Sequence, residues 1–326
     1  MKKILPFILL LLLVGLSAKV NAQGFAKKNR YTSIGVNINA MNYVGDLDPG
    51  PSFISPGLKY TRPNVGISYT YRILPRVSLR GNISDGEVGG SDKQNASYSE
   101  KDIFRKIRNL DFKDNIFEVK GDVIIDLWEN RGKYTKRPDY TPYIAFGLAY
   151  FHMNPKGQID NQGQWYALDP LKIEGNSFSH NQLAIPISLG FRYKLSKQWD
   201  LAFEIGWRFS LTDYIDGVSS KYKGPNSLAD INSTAYQLSN QTYAAYTSDP
   251  TLQAFINNHY GGVVPVTNAQ GNVIMNASGT APAAYTVPGF GQTGDKRGTP
   301  DRDWYIVTGF HLNYIIPGRV ICPKFR

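Results

Sequence analysis

The chain has 326 residues, of which 42% are hydrophobic and 13% aromatic, and its formal net charge is +10 at pH 7. Its single cysteine, Cys322, excludes a framework of internal disulfides, but it leaves open a free thiol or a disulfide to another chain. Beyond the first 22 residues, no stretch of the sequence is long and apolar enough for a membrane-spanning helix. Any membrane contact of the mature chain must therefore use strands.

The N-terminus predicts a secretory signal peptide over residues 1–22. Lys2 and Lys3 precede the apolar run Ile4–Leu16, and Val20–Ala22 supplies a small-residue cleavage pattern. No cysteine stands at the cut site, which argues against a lipoprotein signal. We therefore expect a mature chain of residues 23–326, exported to the outer membrane of a Gram-negative bacterium.

Eight segments of the mature chain alternate apolar and polar residues with a period of two. The seventh is the clearest, since Trp199, Phe203 and Trp207 share one face, and Glu204 and Arg208 share the other. This length and pattern, with aromatic residues at both ends, is typical of a strand that crosses a bilayer. The sequence predicts an all-β, eight-stranded, antiparallel, up-and-down transmembrane β-barrel with long external loops. The predicted strands are Tyr31–Ala40, Asn64–Ile73, Arg76–Ser84, Ile116–Trp128, Pro142–His152, Gln182–Lys194, Gln198–Leu211 and Asp303–Ile316.

The connections between these strands alternate in length. Bacterial outer-membrane barrels have short periplasmic turns and longer external loops. On that rule the connections at 74–75, 129–141 and 195–197 are periplasmic, and both termini lie on the periplasmic side. The external loops are Met41–Lys59, Asp85–Asn115, Met153–Asn181 and the long final loop at about 212–302.

The faces of the strands decide between a membrane barrel and a soluble lipocalin-type barrel. A soluble barrel would hold its apolar side chains inside, whereas here one face carries both signs of charge and the other almost none. Charged side chains inside a narrow barrel must pair, because an unpaired ion in a low dielectric is costly. We therefore expect a salt-bridged network that plugs the lumen, with a narrow or gated channel as the alternative. The predicted network is Arg80, Glu118, Lys120, Asp122, Arg192, Glu204 and Arg208.

The external loops contain some predicted structure. Ser99 and Asp102 have the spacing of a capping box, and the apolar residues of 103–110 recur at helical spacing. We expect a short amphipathic helix there, whose basic face (Arg105, Lys106, Arg108) is solvated. The final loop of residues 212–302 is rich in Asn, Ser, Gly, Ala, Thr and Tyr. The sequence leaves open whether it is a lid, a contact region or partly disordered.

Reactive or metal-binding constellations are weak in this sequence. Asp169, Ser179 and His180 could form an external rim active site, but nothing fixes their mutual geometry. Asp213 and Asp216 could hold calcium, but the further acidic ligands of an EF-hand loop are missing. The simpler interpretation is polar loop residues, so we expect no enzyme activity, no catalytic residues, no cofactor and no metal site.

Excess positive charge collects on the predicted periplasmic rim. Basic residues at such a rim would contact lipid phosphates or dock an acidic periplasmic partner. Nucleic acid is not expected in this compartment. The candidate partner contact consists of Arg131, Lys133, Lys136, Arg137, Arg319, Cys322, Lys324 and Arg326.

Several short motifs spread over the mature chain resemble one family. They are Asn42–Leu47, Arg108–Phe112 with Asn115–Glu118, Thr212–Ser219 and Cys322–Phe325. In these motifs the chain resembles the PorG-type outer-membrane barrels, although its final loop is longer than we expect for that family. The resemblance implies a non-enzymatic component of the type IX protein secretion system that associates with a periplasmic ring of the lipoprotein PorK and its partner PorN. On this basis Cys322 could form a disulfide to a ring protein.

Overall fold

The computed structural model describes residues 29–48, 60–100, 102–159 and 163–317. The predicted signal peptide lies outside these ranges. So do four members of the predicted partner contact, namely Arg319, Cys322, Lys324 and Arg326.

Eight long strands form a closed antiparallel barrel. Each strand pairs with the next one along the chain, and the first pairs with the last from Thr32–Ile316 to Val44–Trp304, which closes the cylinder. The predicted fold class is therefore confirmed. The strands are β1 Thr32–Val44, β2 Arg62–Arg72, β3 Val77–Ser91, β4 Asp111–Asp126, β5 Tyr140–His152, β6 Asn181–Lys194, β7 Trp199–Ser210 and β8 Trp304–Ile316.

The barrel is apolar outside and polar inside. Ile38 and Leu148, which point outward, are 67% and 66% exposed, whereas Glu204 and Arg208 are each 3% exposed. An exposed apolar belt around a closed sheet is the architecture that lets strands cross a bilayer, because each strand bonds to a neighbour on both sides and no edge strand is left open. The expected location in the outer membrane of a Gram-negative bacterium is confirmed.

Strands β3 and β4 continue well past their predicted outer ends. The prediction ends β3 at Ser84 and begins β4 at Ile116, but the observed ladder runs on to the pair Ser91–Asp111. The residues Val88–Ser91 are all buried. Alternation of apolar and polar residues requires one face in lipid and one in the lumen. It therefore disappears where other loops cover both faces.

The external loops fold into helices and short strands. The helices are α1 Asp92–Asn95, α2 Ile103–Arg108, α3 Leu228–Ile231, α4 Thr234–Ser239, α5 Thr242–Ser248 and α6 Pro250–Tyr260. Two short strands, Lys156–Gln158 and Trp165–Ala167, add to the outer end of β4, and Val264–Pro265 pairs with Tyr285–Thr286. Residues 212–302, whose state the sequence leaves open, are thus a folded unit that we call the cap. No helix in the described ranges is long and apolar enough to cross a membrane.

Two apolar cores join the cap to the barrel. The first fills the outer part of the lumen and includes Met41, Phe112, Phe151, Ile215 and Tyr305, all at most 3% exposed. The second packs helix α2 against the cap. Its buried members are Ile103, Ile107, Ala245, Leu252, Ile256, Val287 and Phe290.

One seam of the barrel is interrupted. The register of β5 and β6 pairs Phe146 with Ile187 and Ala149 with Ala184, but it skips the two intervening pairs, which include Gly147 and Pro186. Proline has no N–H to donate to the ladder, so it is rare in the middle of a sheet. On its other side Pro186 lies in an unbroken register opposite Arg208.

Candidate functional site

The inner face of the barrel carries a connected set of ion pairs. Arg80 lies between two carboxylates, with Nη2 2.6 Å from Asp122 Oδ2 and Nη1 2.7 Å from Glu204 Oε2. The Tyr143 hydroxyl donates to the same Glu204 oxygen at 2.8 Å. These side chains come from β3, β4, β5 and β7, so this cluster ties together strands that do not all pair with one another.

A second pair lies on the same inner face. Arg208 Nε is 3.2 Å from Glu118 Oε2, and the Tyr305 hydroxyl donates to that oxygen at 2.8 Å. Lys120 Nζ is 3.0 Å from Asp122 Oδ2. Six residues of the predicted set therefore lie in two neighbouring buried clusters. Arg80, Lys120, Asp122 and Glu204 form one, and Glu118 and Arg208 form the other.

Arg192 makes a different contact from the one its sequence position suggests. The sequence predicts one network that joins Arg192 to the carboxylates Glu118 and Asp122, but Arg192 Nη1 is 3.2 Å from Asp126 Oδ1. Arg72 Nη1 is 2.7 Å from the other oxygen of the same carboxylate. The predicted set omits Asp126 and Arg72, although both lie on the polar faces of their strands, so the alternation itself would have identified them.

Arg137 is wrongly assigned to the exposed partner contact. Its side chain is buried, and its Nη2 is 2.6 Å from Asp200 Oδ1. The guanidinium also donates to the carbonyl oxygens of Ser196, Lys197 and Trp199. It therefore fastens the second periplasmic connection to the turn between β6 and β7, because a guanidinium presents several donors that can reach a carboxylate and several carbonyl oxygens at once.

Side chains fill the described part of the lumen. One cavity of about 20 Å³ is lined by Arg80, Tyr143, Arg192 and His311 among others, and one of about 10 Å³ lies near Arg72 and Arg137. Each has room for about one water molecule. Above them the outer part of the lumen holds the apolar core that contains Phe151 and Tyr305. The sequence prediction did not include this apolar layer. Its only signal in the sequence is that Met41, Phe151 and Tyr305 occupy inward positions at the outer ends of their strands.

The basic face of helix α2 is not solvated, contrary to the sequence prediction. Arg105 and Arg108 are buried, and both contact the Asp92 carboxylate, at 3.3 Å and 2.7 Å. Arg108 further donates to the carbonyl oxygens of Asp46 and Arg297. Burial opposes the charged form of Arg108, but the carboxylates of Asp92 and Asp46 outweigh it and raise the pKa of the guanidinium. The predicted capping box is also absent, because the Asp102 carboxylate accepts from Ser97 and makes no cap hydrogen bond.

The Thr212–Gly217 run forms a turn at the base of the cap. Asp216 Oδ1 accepts the Val218 N–H at 2.8 Å, and Asp303 Oδ2 accepts the Ile215 N–H at 2.9 Å. Burial, together with the neighbouring Asp216 carboxylate, raises the pKa of Asp213 to about 8. Within the described ranges, no three His, Cys, Asp or Glu side chains are grouped so that they could hold a metal ion.

The three residues considered as a rim active site are only partly assembled. His180 Nε2 is 3.2 Å from Asp169 Oδ2, and His180 Nδ1 is 2.8 Å from the Met153 carbonyl oxygen. Both ring nitrogens are therefore engaged. The Ser179 hydroxyl donates to the carbonyl oxygen of Asn181 and not to the histidine. A nucleophile needs a base within hydrogen-bond reach, and Ser179 lacks that contact.

Exposed cations remain on the periplasmic rim after Arg137 is removed from the set. Arg131, Lys133 and Lys136 are exposed on the second periplasmic connection, and Arg76 and Lys197 are exposed on the two neighbouring turns. Arg131 pairs with Glu129 at 2.8 Å, yet its side chain is 67% exposed. We call these five residues the basic rim.

Comparisons with known proteins give one family and several similar structures. The family model described as "Domain of unknown function (DUF6089)" matches residues 2–248. No curated protein matches the chain.

Three solved structures illustrate the similarity to other barrels. The outer membrane protein OprG from Pseudomonas aeruginosa is 10% identical, with a TM-score of 0.36, covering 89% of this chain and 98% of that chain. A major outer membrane protein from Thermus thermophilus is 10% identical, with a TM-score of 0.36 and coverages of 87% and 99%. Neisserial surface protein A is 10% identical, with a TM-score of 0.35 and coverages of 87% and 96%.

Proposed function

We propose a role for this chain, which belongs to the DUF6089 family. The role is that of a non-enzymatic structural component of a protein secretion machine in the outer membrane. The resemblance of its motifs to PorG-type barrels makes this machine the type IX system. The basic rim would dock the barrel onto a periplasmic ring built by proteins like PorK and PorN.

The filled lumen supports a structural role over a conducting one. Six charged side chains in the lumen are at most 5% exposed, and each contacts an opposite charge. They are Arg80, Glu118, Lys120, Asp122, Glu204 and Arg208. Opening a path for solute would require these ion pairs to separate in a low dielectric, which is costly. The interior therefore serves to rigidify the cylinder.

The observation that carries the proposal is the rigid presentation of the basic rim. Arg137 holds the loop of Arg131, Lys133 and Lys136 against the turn of residues 195–197 through Asp200 and three carbonyl oxygens. A surface that is ordered before binding loses less conformational entropy when it binds. Clustered cations on such a surface favour a partner that presents carboxylates.

Affinity purification from membranes tests this role. A tagged wild-type chain is expected to retain periplasmic ring proteins, and the double variant Lys133→Glu/Lys136→Glu is expected to lose them. The matched control is Lys172→Glu/Lys223→Glu, which reverses two exposed charges on the external side. If the rim variant retains the ring proteins, or if only lipid accompanies the wild-type chain, the docking role is wrong and the rim contacts lipid phosphates.

Cys322 provides an independent readout of the same partner. We propose that it forms a disulfide with a ring protein, since an exported chain has an oxidising destination. Membrane extracts run on non-reducing gels are expected to show a larger species that disappears in Cys322→Ser. A monomer alone, with normal secretion by Cys322→Ser, would refute the disulfide.

A further inference from the structure

A cavity of about 400 Å³ lies at the outer end of the barrel. Its walls come from the ends of β1 and β8, from helix α2 and from the last residues of the cap. Ligand sites in proteins have volumes of about 300–1,000 Å³. This cavity therefore has room for a small ligand or for the headgroup of a lipid, unlike the water-sized cavities of the lumen.

Part of the cavity wall belongs to the lipid-facing side of the barrel. Val44 and Trp304 line the cavity, and they pair with each other at the outer ends of β1 and β8. They lie six residues from the exposed Ile38 and Phe310 of the same strands, so alternation places all four side chains on the outward face. The Trp304 ring stacks on the exposed Phe209 ring, with 6.0 Å between the centroids. Aromatic pairs of this kind mark the membrane–water interface, so the cavity lies at the level of the outer headgroups.

The buried part of the wall has matched charges that are fixed within the chain. Arg105 and Arg108 line the cavity, and both contact the Asp92 carboxylate. The half-buried Asp46 accepts the Thr299 N–H with both carboxylate oxygens, at 2.9 Å and 3.2 Å. These contacts hold the ends of the first and last external loops against helix α2, so the cavity is formed before any ligand binds.

The exposed part of the wall has more positive than negative charge. Lys296 and Arg302 are exposed there, together with one carboxylate, Asp301. The Lys296 ammonium lies 5.6 Å from the centroid of the Phe104 ring, which also lines the cavity. A cation over an aromatic face is attracted to it, and this contact keeps the ammonium at the cavity.

Charge and position together favour a phosphate ester that is carried by a lipid. Phosphate oxygens accept charge-assisted hydrogen bonds from lysine and arginine. A soluble anion would meet the same two cations, but it would make no use of the outward-facing Val44 and Trp304. Cations close to a membrane surface are attracted to anionic headgroups, so a lipid satisfies both parts of the wall.

We propose that this cavity binds the phosphorylated headgroup of a lipid in the outer leaflet of the outer membrane. Lys296 and Arg302 contact the phosphate, and Trp304 packs against the part of the headgroup nearest to the bilayer. The site lies at the external end of the barrel, opposite the basic rim, and it does not depend on the proposed secretion role.

Binding of diphosphoryl lipid A, a phosphorylated glycolipid, to the purified full-length protein in dodecyl maltoside micelles tests the proposal by native mass spectrometry. The wild type is expected to bind it. Lys296→Gln/Arg302→Gln is expected to bind it about tenfold more weakly, because two charge-assisted contacts are lost. The control Lys172→Gln/Lys223→Gln removes two exposed cations elsewhere on the external side and is expected to bind as the wild type does.

Three further measurements identify the ligand chemistry and its source. Lipid A without its phosphates is expected to bind the wild type about tenfold more weakly than the diphosphoryl form does. Glucosamine 1-phosphate, a soluble sugar phosphate, is expected not to displace diphosphoryl lipid A at equal concentration. Asp301→Asn removes the exposed carboxylate and is expected to bind diphosphoryl lipid A about twofold more tightly, because a like charge is lost.

Folding is checked by heat-modifiable gel mobility, and only variants with wild-type mobility are compared. Equal binding of diphosphoryl lipid A by the wild type and by Lys296→Gln/Arg302→Gln overturns the proposal, and so does an equal loss in the control. Displacement by glucosamine 1-phosphate at equal concentration overturns the lipid source. Weaker binding by Asp301→Asn would indicate that the carboxylate contacts a cationic group, and it overturns the choice of a phosphate.

Discussion

Asp216 and Asp303 lie on either side of one hydroxyl group, that of Tyr43. The hydroxyl oxygen is 2.7 Å from Asp216 Oδ2 and 2.7 Å from Asp303 Oδ1. A tyrosine hydroxyl has one proton to donate, so two hydrogen bonds of this length require that one carboxyl group carry a proton of its own. Asp216 and Asp303 join the two ends of the cap region to β1 through Tyr43. The proton that these two carboxyl groups share between them therefore helps to fix the cap on the barrel.

The first prediction concerns pH. Burial and nearby carboxylates raise the pKa of Asp216 from 3.8 to about 7, and they raise that of Asp303 well above its usual value. A folded-state pKa above the unfolded value means that the folded cap binds more protons between these two values. Its stabilisation is complete below about pH 4 and is lost as the pH rises through about 7. The rate of limited proteolysis within residues 212–302 is expected to rise over that range.

The Asp216→Asn variant tests the origin of this pH dependence. An amide cannot ionise, so the cap of this variant is expected to show a flatter proteolysis profile between about pH 4 and pH 7. The control is Asp301→Asn, an exposed carboxylate near the end of the cap, which is expected to keep the wild-type profile. A wild-type rate that does not change with pH would contradict the shared proton.

The second prediction concerns Glu204→Ala. The change leaves Arg80 with one carboxylate in place of two and leaves the Tyr143 hydroxyl without its acceptor. Breaking a buried ion pair costs about 3–5 kcal/mol of unfolding free energy. Urea unfolding followed by tryptophan fluorescence in micelles measures the loss. Glu129→Ala breaks an exposed ion pair with Arg131 and is expected to cost less than about 1 kcal/mol.

Conductance of the same variants separates a plug from a channel. We expect Glu204→Ala to lower the free energy of unfolding and to have little effect on the current measured in planar bilayers. A steady wild-type conductance that disappears in Glu204→Ala without any loss of stability would show that the ion network conducts.

The third prediction concerns Arg137 as the fastening of the basic rim. Arg137→Ala leaves Asp200 buried without its cation and removes the guanidinium donor from the carbonyl oxygens of Ser196, Lys197 and Trp199. We expect faster amide exchange in residues 129–139 and 195–199, and a rim that no longer retains the ring proteins. Arg131→Ala, which removes an exposed cation, is expected to leave exchange unchanged. Slow exchange in Arg137→Ala would mean that other contacts hold the loop.

The fourth prediction concerns the seam between β5 and β6. Because Pro186 offers no N–H, amides near Gly147 are expected to exchange faster than those near Gly121 in the unbroken ladder of β3 and β4. Pro186→Ala supplies a donor and is expected to slow exchange at residues 147 and 148, since one ladder hydrogen bond contributes about 1 kcal/mol. Equal exchange at the two sites in the wild type would show that the seam is not weak.

The sequence by itself determined the barrel. Alternation is a local property, since neighbours on a strand point to opposite sides, so Glu204 and Trp207 could be assigned to the lumen and to lipid without knowing any partner strand. Only the tertiary structure decided where the charged loop residues lie. Arg137 and Asp200 are 63 positions apart, and Arg108 and Asp92 are 16 apart. Whether such a cation is solvated or buried depends on which loop ends meet in space. The same holds for the cap, because its helices α5 and α6 are stabilised by packing against α2, a contact that their own sequence does not reveal.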